Sequence, residues 1–181
     1  MSLVSEASPM AVPRVPVAAV EATRVTPRTL ALAAIGPVAI GGILAVKVGA
    51  LGPLAATPAI VFGVVAATSP ALYIAIAATG DAPPLAAVVR ALAVALGAFG
   101  LALAGLVLPA AFLSLSSVAA FTTVVACSCA LGGAAALAMR RLSSELATRT
   151  FAASVVIFVW AVATFGVAGR LWWNLASEVV S

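Results

Sequence analysis

The chain has 181 residues, of which 65% are hydrophobic and only 8% charged, and its mean hydropathy is +1.28. A water-soluble domain is nearer half apolar and about a quarter charged, so water is excluded as the solvent of the folded chain, and the length suits one bundle rather than a bundle with a separate catalytic domain. The net charge of +4 comes from nine basic and five acidic residues spread thinly, which form no basic face of the kind nucleic acid requires.

Residues 1 to 28 hold Pro9, Pro13, Pro16 and Pro27 together with Arg14, Arg24 and Arg28. Proline at those intervals blocks a continuous helix, so a flexible cytoplasmic arm is expected and a signal peptide is not. Residues 29 to 181 are expected to form a transmembrane bundle, each span an apolar run of about 18 residues or more, enough to cross about 30 Å of hydrocarbon. Thr26 and Pro27 make a helix start, Thr as the cap and Pro where its missing N–H costs nothing. The first span is expected over 29–51, kinked by Gly36, Pro37, Gly41 and Gly42. Lys47 lies near its far end, where a four-carbon stem carries the ammonium to the interface.

Gly52 and Pro53 make a turn, and the second span is expected over 58–79. Ser69 and Pro70 sit near its middle, where the hydroxyls of Thr68 and Ser69 re-satisfy carbonyls that proline leaves unpaired. The pair is either a self-satisfied kink or a broken segment lining a solute path, as in transporters. Gly80, Asp81, Ala82, Pro83 and Pro84 form the sharpest boundary in the chain. The apolar run from Leu85 to Leu113 then carries the third span, expected over 85–110, with Arg90 anchoring it inside and Pro109 bending or ending it. Ala93, Gly97 and Gly105 fall on one face at multiples of four residues, the pattern of a packing helix that a neighbour approaches closely.

Ser114, Ser116 and Ser117 make a short turn into the fourth span, expected over 118–139. Ala126, Ala130 and Ala134, with Gly133 beside them, give it a second small-residue face, expected to meet the third span. Cys127 and Cys129 point roughly 200° apart on that helix, too far for a disulfide between them. Arg140 and Arg141 end the span, residues 142–149 form a hydrophilic loop, and the fifth span is expected over 150–171. Arg170, Trp172 and Trp173 are the basic and aromatic group of a membrane interface.

With five spans, Arg14, Arg24, Arg28, Arg90, Arg140, Arg141 and Arg149 fall on the arm's side and only Lys47 and Arg170 on the other. The positive-inside rule then puts the N-terminus in the cytoplasm. The fold expected is all-α, a polytopic transmembrane bundle of about five spans with its N-terminus inside, in a cell membrane read as the bacterial inner membrane. An arm followed by spans from Thr29 to Leu171 resembles the layout of the Yip1-type membrane proteins. Pro70, Ala71, Leu72 and Tyr73 run in a different order from the aspartate-, tyrosine- and glycine-containing signature of that family. No functional residue is carried over, and the likeness implies a scaffold or trafficking role.

Histidine is absent, which removes the commonest general base and transition-metal ligand. A Ser and Lys pair would need Lys47 to meet Ser114, Ser116 or Ser117, and Asp81 with Glu145 makes a poor magnesium site. No catalytic residue, metal site or cofactor is expected. The polar residues at membrane depth, Thr68, Ser69, Thr122, Thr123, Ser128, Ser154 and Thr164, can each bond their own helix. The function expected is a non-catalytic scaffold, assembly factor or accessory subunit, with a transporter or channel component for a small solute as the alternative. Its partners would be membrane lipids and other membrane proteins or copies of itself.

Overall fold

A computed structural model describes residues 27–80, 83–117, 119–146 and 150–180. Residues 1–26 of the expected arm, with the Thr26 cap, and Asp81 and Arg149 lie outside the described residues, whereas Pro27 and Arg28, assigned to that arm, open the first helix. Five helices follow in order: α1 (Pro27–Val48), α2 (Gly52–Ala78), α3 (Leu85–Ser116), α4 (Ala120–Leu146) and α5 (Phe151–Val180). Each is long and apolar enough to cross a membrane, and the described residues contain no strand. The chain is an all-α, multi-pass bundle.

The helix ends depart from the sequence reading: α1 stops at Val48 rather than 51, while the other four helices are longer than expected. α2 begins at Gly52 and runs through both Pro58 and Pro70, and α3 continues past Pro109 to Ser116. Proline lacks one hydrogen-bond donor but is no stop signal in a setting where water offers the backbone no alternative partner. α1 likewise passes through Pro37. α4 extends beyond Arg140 and Arg141 to Leu146, and α5 reaches Val180. At 1.5 Å per residue α3 is about 48 Å long, so it tilts or projects into the headgroup layer. Glycine ends two of the helices: Gly49 and Gly80 take φ of +72° and +80°, a conformation that a Cβ would strain.

Packing closes the five helices into a ring. α1 touches α2 and α3 and, more lightly, α4 and α5; α3 touches α4, α4 touches α5, and α5 returns to α2, whereas α2 and α3, despite their short connector, meet only sparsely, as at Leu72, Ile76 and Leu92. The most extensive contacts are α3 with α4 and α1 with α3, and the α4–α5 seam is the thinnest of the ring. α1 is the most buried helix, so it shares the central place expected of α3 alone.

Its glycines explain why. A Cβ built on Gly100 of α3 would stand 2.5 Å from Ala33 Cα and 2.6 Å from the Ala33 carbonyl oxygen, and one on Gly36 would stand 2.6 Å from the Gly100 carbonyl oxygen. The α1 and α3 backbones therefore touch at Gly36 and Gly100. Gly41 gives α2 the same access, since its Cβ would lie 2.6 Å from the Pro53 carbonyl oxygen. The face expected from Ala93, Gly97 and Gly105 is not the closest one. An added Cβ on Gly97 makes an ordinary 3.5 Å contact with Thr29, and Gly105 is exposed with nothing within 4 Å, so it takes no part in packing within the chain. On α4, Ala130 and Ala134 are buried in the core with Leu103 and Phe99 of α3; Ala126 packs at its edge and Gly133 is exposed.

Candidate functional site

Of the polar side chains, Lys47, Trp160, Thr164 and Trp172 bond between helices, whereas Thr57, Thr68, Ser69, Ser114 and Ser128 donate to carbonyls of their own helix. Lys47 does not simply reach for the interface: its Nζ donates to the carbonyl oxygens of Ser117 at 2.7 Å and Ser114 at 3.4 Å. Those carbonyls belong to the end of α3, where four C=O groups lack intrahelical partners and the helix dipole is negative. The ends of α1 and α3 lie on the same side of the bundle, so one cation serves both. Lysine and serine are thus neighbours, but as donor and backbone acceptor. The Ser114 hydroxyl donates instead to the Ala110 carbonyl at 2.7 Å, which leaves no nucleophile and base arrangement.

Two tryptophans tie α5 to the ring. Trp160 Nε1 donates to the Thr68 carbonyl of α2 at 2.9 Å, and Thr164 Oγ1 donates to Thr68 Oγ1 at 3.2 Å, which in turn donates to the Val64 carbonyl at 2.9 Å. Ser69 bonds the Val65 carbonyl at 2.5 Å, and Pro70 is exposed. Trp172, expected at the interface, is half-buried and donates to Ser128 Oγ of α4 at 2.8 Å. Trp173, Arg90, Arg140, Arg141 and Arg170 are exposed. Interhelical bonds of this kind in membranes are worth about 0.6 kcal/mol each, up to about 1.7. Thr123 is the exception: its buried hydroxyl has no partner among the described residues. Both cysteines are free, Cys127 buried and Cys129 exposed.

Inside the ring lies a cavity of about 290 Å³, walled by α2, α3, α4 and α5 and almost wholly apolar. Val61 and Val64 line it from α2, Leu96 and Phe99 from α3, Ala135 from α4 and Phe165 from α5. Ser69 and Pro70 are not among its walls, so the segment proposed as a path does not border the space that exists. On one side Leu72, Ile76 and Ile157 pack with Leu92, Met139 and Trp160. On the other, the largest core cluster brings Leu44, Leu103 and Cys127 together with Trp172 and Leu175. Both ends are therefore plugged by hydrocarbon.

The sides are less complete. Between the Trp172–Ser128 bond and the Trp160 plug, α4 and α5 face the cavity with Gly132, Ala135, Ala168 and Gly169. Gly132 and Gly169 are exposed, and a Cβ on either would meet nothing within 4 Å. The thin seam is thus a window onto the lipid. The cavity is open at its side rather than sealed, and hydrocarbon surrounding the bundle has access to it.

No group of three or more metal-ligating side chains occurs among the described residues. Compared with protein-family models, with curated proteins and with solved structures, the chain finds no match.

Proposed function

We propose that the chain is a non-catalytic integral membrane protein, a scaffold, assembly factor or accessory subunit whose N-terminus lies in the cytoplasm of a cell bound by such a membrane. The observation that carries this reading is the use of its polar groups: Lys47, Thr68, Ser128, Trp160 and Trp172 each bond backbone or a neighbouring side chain, leaving no convergent set among the described residues to act on a substrate. Such a protein has apolar helix faces to offer, among them the exposed Leu101, Leu108 and Phe112 of α3. Extraction in mild detergent tests it, with a partner in fixed stoichiometry as the expected result.

The orientation rests on the basic residues. A reporter active only outside the cytoplasm is expected to work when fused after Ser181, and activity confined to fusions at the arm or near Arg140 contradicts it. The second reading, a transporter component, is favoured by the cavity, but a water-soluble solute would have to pass two hydrocarbon plugs. Only an apolar occupant suits that space.

A further inference from the structure

We propose that the cavity is a binding site for the hydrocarbon chain of a membrane lipid, which enters sideways from the bilayer through the window between α4 and α5. This goes beyond the scaffold reading and holds whether or not a protein partner exists.

Three observations point to this occupant. First, the way in faces lipid: the cavity is plugged by apolar side chains at both ends, whereas its opening is continuous with the exposed apolar surface around Phe165 and Gly169. Second, the walls ask for nothing polar. Thr57, Ser128, Thr164, Trp160 and Trp172 each donate their proton to a partner within the protein. Third, the space is small: about 290 Å³ beside about 18 Å of α5, from Trp160 to Trp172, has room for hydrocarbon chain but not for a transmembrane helix of about 10 Å diameter, which over that length fills about 1,400 Å³.

The headgroup is left outside. Lipid tails are as apolar as the walls, so occupancy comes from filling a void and from close packing rather than from escape from water. Gly132 and Gly169 keep the window open because any larger side chain at either position would project into it.

The test is photolabelling of the full chain reconstituted in phosphatidylcholine vesicles that contain a phosphatidylcholine with a diazirine in one acyl chain. Label is expected on Leu96 and Phe99, which form the α3 wall of the cavity, as well as on Leu101 and Leu108, exposed on the outer face of the same helix. In the double variant Gly132→Leu, Gly169→Leu the label on Leu96 and Phe99 is expected to be lost while that on Leu101 and Leu108 persists. Persistence of the outer label shows that the variant has inserted, and Gly132→Val alone serves the same comparison if the double variant does not fold. Leu96 and Phe99 unlabelled in the parent chain, or labelled equally in the filled variants, would overturn the proposal.

Discussion

Gly100→Ala is expected to destabilise the bundle by about 3 kcal/mol, an unusually large effect for one methyl group. The added carbon would land against Ala33 Cα and the Ala33 carbonyl oxygen, at 2.5 and 2.6 Å. Overpacking costs about 1–3 kcal/mol when side chains can shift, and backbone atoms in a helix cannot shift singly. The whole of α1 must move off α3, which also separates Gly36 from the Gly100 carbonyl. Gly105→Ala, on the same helix with nothing within 4 Å, is the control and is expected to be neutral or to stabilise by up to about 1 kcal/mol through helix propensity. Unfolding in detergent by heat or by added dodecyl sulfate measures both. Equal stabilities for the two variants would mean that α1 and α3 do not cross at these glycines.

Lys47→Met is expected to cost about 2 kcal/mol. Hydrogen bonds to a charged group contribute about 1.5–3 kcal/mol, and a cation at a helix C-terminus adds about 0.3–1. The methionine keeps the stem's packing but leaves the Ser117 and Ser114 carbonyls without their donor. Lys47→Arg retains a donor and a positive charge and should keep most of the stability. Hydrogen exchange reads the same event locally, because loss of the ammonium should loosen the last turn of α3 more than its middle. A Lys47 that merely reached toward headgroups would show no difference between the methionine and arginine variants in that turn.

The spans themselves were legible in the sequence. Five long apolar runs correspond to the five helices, because burial in hydrocarbon selects for the average composition of a segment, although Gly52 and Pro53, read as a turn, open α2, and Ser114 and Ser116 lie within α3. The helix ends were less legible, since Pro58 and Pro109 read as boundaries by rules that assume water competes for the backbone. The contacts were least legible. Alanine is so frequent that small residues at four-residue spacing arise everywhere, so Ala93, Gly97 and Gly105 looked as good as the pair that meets, Gly36 and Gly100. Lys47 finds its partners 67 and 70 residues away, and no local pattern announces a bond of that reach. The same holds for the two tryptophans: Trp172 reads as an interface marker, yet the indoles of Trp160 and Trp172 bond α2 and α4.

Taken together, these contacts describe a bundle in which, among the described residues, Lys47, Thr68, Ser128, Trp160 and Trp172 are all bonded within the protein. That use of polarity supports the proposed reading of a protein that acts by what it holds. The measurement that bears most directly on this is the mass of the species extracted from its native membrane in mild detergent, read by mass spectrometry under conditions that keep complexes intact. The chain bound to a reproducible protein partner in fixed ratio is the predicted result. A lone monomer that moves a solute across liposome membranes would contradict it.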